Sequence, residues 1–116
     1  MKFFLTGVSN LFKNLALIKA VVVEADRLGF EGALMTDHYM YGAGRLSTRM
    51  SEVDRNMTLE TWVTLTYLAA KTEHIRLGTI VTPIPFRPPA VLAKMLSTLD
   101  VLSKGRVILG VGAGWS

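Results

Sequence analysis

With 116 residues, half of them hydrophobic and 19% charged, the chain has the composition of one small globular domain and not of a disordered segment. It contains no cysteine, which excludes disulfides and thiolate metal sites, and no metal centre is expected. The net charge of +4 comes from basic residues spread along the chain, Arg87 and Arg106 among them, with acids such as Glu24, Asp26, Glu52 and Asp54 between them. This pattern reads as dispersed, solvated charge, without the basic cluster and interleaved aromatics of a nucleic-acid face.

Residues 2–7 form a short apolar run that ends in small polar residues, as a buried strand does. The run breaks on Thr6, Gly7, Ser9 and Asn10, without the h-region and cleavage site of a signal peptide. No stretch approaches the ~20 apolar residues of a membrane span, so a cytoplasmic protein without a membrane partner is expected. From residue 14 to 28 the period changes, and Leu17, Val21, Ala25 and Leu28 share one helical face, with Gly29 as the stop. Residues 32–36 read as a second buried strand, ending at Asp37-His38.

Residues 39–57 carry no sustained apolar period and form a long connection of the kind that is commonly functional. Thr58 offers a helix N-cap with Glu60 in the first turn, and Trp62, Leu65, Leu68, Ala69 and Thr72 then make a helix face. Residues 75–82 are β-rich, with Gly78 marking a bulge or close approach. Pro83, Pro85, Pro88 and Pro89 end that strand and open a helix whose face is Leu92, Met95, Leu96, Leu99 and Leu102, capped by Gly105. Residues 107–111 are a fourth strand, running into Gly112-Ala113-Gly114-Trp115-Ser116.

The order β-α-β-α-β-α-β, with strands apolar throughout, implies an α/β fold of parallel β/α units. Periodicity leaves a doubly wound sheet and a barrel equally open. A typical (β/α)8 barrel has about 250 residues, so this chain would fill a little less than half of one.

Ligands of such folds gather at the carboxyl ends of the strands. The sharpest candidate there is Asp37-His38, because a histidine can exchange a proton near neutral pH. His74 falls between a helix and a strand at the opposite end and reads as structural or exposed. Gly110-Val111-Gly112-Ala113-Gly114 has the spacing G-x-G-x-G, lacks the G-x-G-x-x-G fingerprint of a dinucleotide site, and reads instead as a place where backbone comes close to a ligand or a neighbouring loop.

The segments EADRLGFEGALMTDH and LAAKTEHIRLGTIVTPIPFRPPAVLAKMLSTLDVLSKGRVILGVGAGW resemble the N-terminal half of the bacterial luciferase-like superfamily, over almost all of residues 3–115. The resemblance implies a partial (β/α)8 barrel of four strands and three helices, residues 1–116, with the C-terminal half absent. It implies hydride transfer between an organic small molecule and FMN or the deazaflavin coenzyme F420. By the same resemblance His38 is the catalytic residue beside the ring, and Asp37 precedes it. Thr79, Ile80 and Val81 form a bulge behind the ring with a cis peptide at Thr79–Ile80. Thr82 bonds the ring or ribityl chain, and Gly112, Ala113 and Gly114 border the pocket floor. Strands five to eight of the family supply much of the phosphate site. Trp115 stands where the family's deazaflavin-dependent sugar-phosphate dehydrogenases carry glutamate, which argues against that substrate. The rival reading is a non-catalytic half-barrel that associates with itself or with a complementary half.

Overall fold

The computed structural model describes residues 1–8, 14–39 and 59–114. In chain order the elements are β1 (Phe4–Thr6), α1 (Leu15–Arg27), β2 (Gly32–Met35), α2 (Thr61–Ala69), β3 (Arg76–Thr79), β4 (Thr82–Pro83), a 3-10 turn (Ile84–Phe86), α3 (Pro89–Leu102), β5 (Val107–Ile108) and β6 (Val111–Gly112). The main sheet has the order β1-β2-β3-β5 and is parallel throughout. β4 and β6 pair in parallel as a short second ladder. Each main-sheet strand neighbours its successor, and the order never reverses as it does at the switch point of a doubly wound sheet. The fold is α/β, with the strand order of the opening units of a (β/α)8 barrel. Most of the expected connection over residues 39–57 lies outside the described residues, as do Thr58, Trp115 and Ser116.

Helix α1 starts at Asn14, whose side chain accepts from the amides of Ala16 (2.9 Å) and Leu17 (3.4 Å). It stops as Gly29, at φ +78°, turns the chain left-handed, with Gly29 N donating to Asp26 O and Phe30 N to Ala25 O. The buried face is Ile18, Val22 and Ala25; of the expected Leu17, Val21, Ala25 and Leu28 only Ala25 belongs to it, and Leu17 and Leu28 are exposed. The reason is visible in the sequence: the helix is apolar on more than one stripe, so a three-and-four spacing fits two adjacent faces.

Helix α2 begins two residues later than Thr58 would have set it. Glu60 is itself the cap, accepting from Val63 N at 2.7 Å. The expected face of Trp62, Leu65, Leu68, Ala69 and Thr72 is buried. Thr64, Thr66 and Thr72 return their hydroxyl protons to the carbonyls of Glu60, Trp62 and Leu68, so the buried Thr64 and Thr72 leave no donor unpaired. Helix α3 opens on Pro89, where a missing N–H costs nothing. Lys104 (φ 57°) and Gly105 (φ 82°) are both left-handed at its C-terminal end, where Gly105 N donates to Asp100 O. Of the expected α3 face, Leu92 and Leu99 are buried and Leu102 is exposed.

Two polar anchors fix the amino ends of the strands. Asp26 accepts from the amides of Glu73 (2.7 Å), His74 (3.0 Å) and Ile75 (2.7 Å), which ties α1 to the start of β3. Burial pushes its carboxyl upward, but these three bonds prevail and hold it below the usual value. Arg106 donates to the carbonyls of Ala69, Thr72, Ile75 and Ser103, satisfying the open end of α2. His74 is exposed at this end. Among the described residues no helix is long and apolar enough to cross a membrane.

Candidate functional site

At the opposite, carboxyl end, β3 does not continue smoothly. Leu77 pairs with Val107, thirty residues on, whereas Thr82 pairs with Val111, twenty-nine on. β3 therefore carries one residue more than its neighbour across this stretch, which is a β-bulge. The bulge contains a cis peptide at Ile80–Val81. This corrects the sequence expectation by one bond, from Thr79–Ile80. The physical reason lies in the bonding: Ile80 N still donates to Met35 O, as a regular strand residue would, and Thr82 N resumes the ladder on Gly110 O. The irregularity is confined between them.

The bulge explains the glycines of the fourth strand. A Cβ on Gly110 would stand well inside contact distance of the Thr79 carbonyl oxygen, and one on Gly112 would lie 2.5 Å from Val81 Cγ2. Both positions need glycine because a neighbouring segment comes close, through its backbone at Gly110 and through a side chain at Gly112, the second of the two alternatives the sequence left open.

A cavity of about 430 Å³ opens in front of the bulge, lined by Thr36, His38, Ile80, Val81, Pro83, Gly112, Ala113 and Gly114. His38 is half-buried on one wall, three residues beyond the end of β2. Five other residues expected at the site, Ile80, Val81, Gly112, Ala113 and Gly114, line the same space.

Asp37, Thr79 and Thr82 do not line it. They are buried behind the wall, with 1%, 1% and 0% of their surface exposed. Thr82 Oγ1 accepts from the indole Nε1 of Trp62 (3.1 Å) and donates to Asp37 Oδ2 (2.9 Å). Thr79 Oγ1 donates to Gly110 O (2.9 Å). Thr82 is fully buried and its hydroxyl is engaged within this network, so the bond to a ring or ribityl chain expected from the resemblance is not one this geometry offers.

Sequence reasoning missed the centre of this network. Arg87 was counted with the solvated charges, yet it is buried. Its guanidinium meets Asp37 through two bonds, Nη1 to Oδ2 (2.6 Å) and Nη2 to Oδ1 (3.1 Å), and Nη2 also pairs with Glu60 Oε1. Burial works against the charge on Arg87, but the two carboxylates outweigh it and raise its pKa above the ordinary value. The sequence signal that could have found it is its place four residues after Pro83, in a proline-rich turn too apolar to be a solvated face. Arg87 also lies 5.2 Å from the ring centroid of Tyr39, which stacks on Phe86 at 4.6 Å and donates its hydroxyl to Phe86 O.

A larger groove of about 540 Å³ runs between α2 and α3, away from the strand ends. Its threonines, Thr66 and Thr98, bond carbonyls of their own helices, and Lys94 is its one charged residue. It lacks the convergent polar groups of a ligand site, so the smaller cavity at the strand ends is the candidate.

Comparison with known proteins places this geometry. The family model for luciferase-like monooxygenases matches residues 4–116, and the chain belongs to that family. Over 96 residues it is 36% identical to an F420-dependent glucose-6-phosphate dehydrogenase of Intrasporangium calvum, covering 79% of this chain and 25% of that protein. Over 64 residues it is 50% identical to an uncharacterised protein of Mycobacterium tuberculosis, covering 54% of this chain and 23% of that one. The oxygenating constituent of 3,6-diketocamphane monooxygenase from Pseudomonas putida, solved in complex with FMN, has the same fold: TM-score 0.77, 20% identity, 100% of this chain and 30% of that one. The chain thus spans about a quarter of the length of the curated relatives it matches.

Proposed function

We propose that this chain forms part of a cytoplasmic flavin- or deazaflavin-dependent oxidoreductase acting on an organic small molecule, with the ring of FMN or coenzyme F420 seated in the cavity at the strand ends. The observation that carries the reading is that His38 and the Ile80–Val81 bulge face one cavity of about 430 Å³. That volume falls within the roughly 300–1,000 Å³ of cofactor sites. Ile80, Val81 and Pro83 offer an apolar wall for a flat ring, and the glycine-rich stretch after β5 offers a floor without side chains. The bound ring would supply the hydride chemistry. The protein's share is position and protons. Ile80 and Val81 back the ring, and His38, on an adjoining wall, exchanges a proton with a substrate oxygen. Asp37, Thr79 and Thr82 act behind the wall, by holding it. Trp115, in place of the glutamate of the sugar-phosphate dehydrogenases, supports a substrate other than a sugar phosphate.

Fluorescence titration of the chain with FMN and with F420 tests this. The phosphate-binding segments implied by the resemblance belong to later strands, so the affinity expected of the chain alone is weaker than about 1 µM; each lost ~1.4 kcal/mol of phosphate contact is a factor of ten. Saturable binding of either cofactor that Val81→Asp abolishes without loss of helix signal supports the reading. No saturable binding of either at millimolar concentration overturns it.

One feature favours a second reading, a non-catalytic half-barrel that associates with itself or a complementary half. β1 and β5 each pair on one side only within the main sheet. An apolar hollow lies near each edge, about 390 Å³ around Leu5, Val21 and Phe30, and about 200 Å³ around Ile84, Leu92 and Leu109. Open edges of this kind invite association. Light scattering on the purified chain would show a stable dimer or larger species under this reading and a monomer against it.

A further inference from the structure

We infer that Arg87 is a positioning residue for His38: by bridging Asp37 and Glu60 from the turn after β4, its guanidinium fixes the segment that carries the imidazole and aims it into the cavity. The inference rests on the reading of that cavity as the reaction site. β2 ends at Met35, and residues 36–39 follow it as irregular backbone. His38 nonetheless lines the cavity, and each of its neighbours is held by a side chain from elsewhere. Thr61 Oγ1 donates to Thr36 O at 2.9 Å. Asp37 takes two bonds from Arg87 and one from Thr82. Tyr39 is stacked on Phe86 and lies beside the Arg87 guanidinium.

Arg87 is common to most of these holds. Its second carboxylate, Glu60, caps α2 through the other oxygen, so one planar group joins the end of β2, the start of α2 and the turn that follows the cavity wall. A buried ion pair is a poor way to gain stability, because desolvation cancels much of the attraction, and an apolar side chain would pack this spot as well. What an apolar side chain lacks is direction. The fork of a guanidinium fixes a carboxylate in orientation as well as distance, and that orientation passes along the backbone to the next residue, His38.

The test uses the chain's two histidines, since His74 is exposed at the far end and serves as an internal reference. Ring carbon–proton NMR signals of both are compared in the native chain, Arg87→Lys and Glu60→Gln, with His74→Gln to assign them. Thermal melts are recorded alongside. Lysine keeps the charge but cannot hold two carboxylates in a fork. The expected result is a His38 signal that moves toward the His74 position and broadens in Arg87→Lys, and moves less in Glu60→Gln, while His74 stays in place. Arg87→Met is expected to match or exceed the lysine variant if it folds; the two milder variants decide the matter if it does not. A His38 signal at its native position in folded Arg87→Lys, with only the melting temperature lowered, would overturn the inference and leave Arg87 a merely structural residue. The comparison needs no cofactor, so it stands or falls separately from the titrations with FMN and F420.

Discussion

Gly112 and Val81 are so close across the two strand ends that a Cβ on the glycine would lie 2.5 Å from Val81 Cγ2. Gly110 is crowded in a different way, by the backbone carbonyl of Thr79. The two glycines therefore respond differently to the same substitution. In Gly110→Ala the backbone must shift, and a loss of about 1–3 kcal/mol of stability is expected from overpacking. In Gly112→Ala only a side chain need move, and Val81 turns toward the cavity. Denaturant melts should show Gly110→Ala as the more destabilised, while titrations with FMN and F420 should show Gly112→Ala losing affinity at nearly native stability.

The buried network behind the wall makes a second expectation. Thr82→Val keeps the shape of the side chain but leaves the Trp62 indole without its acceptor and Asp37 with one donor fewer. A cost of about 1–3 kcal/mol follows from the unpaired groups. Asp37→Ala strips Arg87 of its bidentate partner, and breaking a buried pair in this way costs about 3–5 kcal/mol, reduced here because Glu60 remains. Urea denaturation should rank native above Thr82→Val above Asp37→Ala.

Acid should act partly through Asp26. Its carboxyl is held below the unfolded value of 3.8 by the three amides it accepts from. A group depressed in the folded state contributes stability that is present above the unfolded value and is lost as pH falls through the folded one. The affected window therefore lies at and below about pH 4. Asp26→Asn should be less stable than the native chain at pH 7, and the gap should close as melts are taken down toward pH 2. A gap that is constant with pH would show that the charge on Asp26 contributes nothing.

Lys104 holds a left-handed conformation at the end of α3, a position that glycine occupies without strain. Lys104→Gly relieves that strain while adding chain entropy to the unfolded state, and a net gain of up to about 1 kcal/mol is expected, read as a raised melting temperature. The site lies away from the cavity, so cofactor affinity should not change.

The alternation of strands and helices was legible because each strand is apolar throughout and each helix has a clear stop or start, such as Gly29 or Pro89. Six of the nine expected site residues, His38, Ile80, Val81, Gly112, Ala113 and Gly114, line one cavity. Two kinds of feature escaped. Choices among near-equivalent options did: the face of α1, the cap of α2, and which bond of the bulge is cis all turn on a difference of one or two residues that tertiary packing decides. The long-range polar network also escaped. The bonds among Asp37, Thr82, Arg87 and Trp62 span 20 to 50 residues, and the apolar, proline-rich turn around Arg87 hints at its burial without naming its partners.

The most direct test of the central claim is amide and side-chain NMR mapping of the chain titrated with FMN. The expected result is fast-exchange shifts confined to His38, Ile80, Val81 and Gly112–Gly114, with His74 and Arg106 unmoved at the opposite end. Shifts centred on the groove between α2 and α3, or spread evenly over the surface, would contradict the assignment of the cavity at the strand ends as the cofactor site.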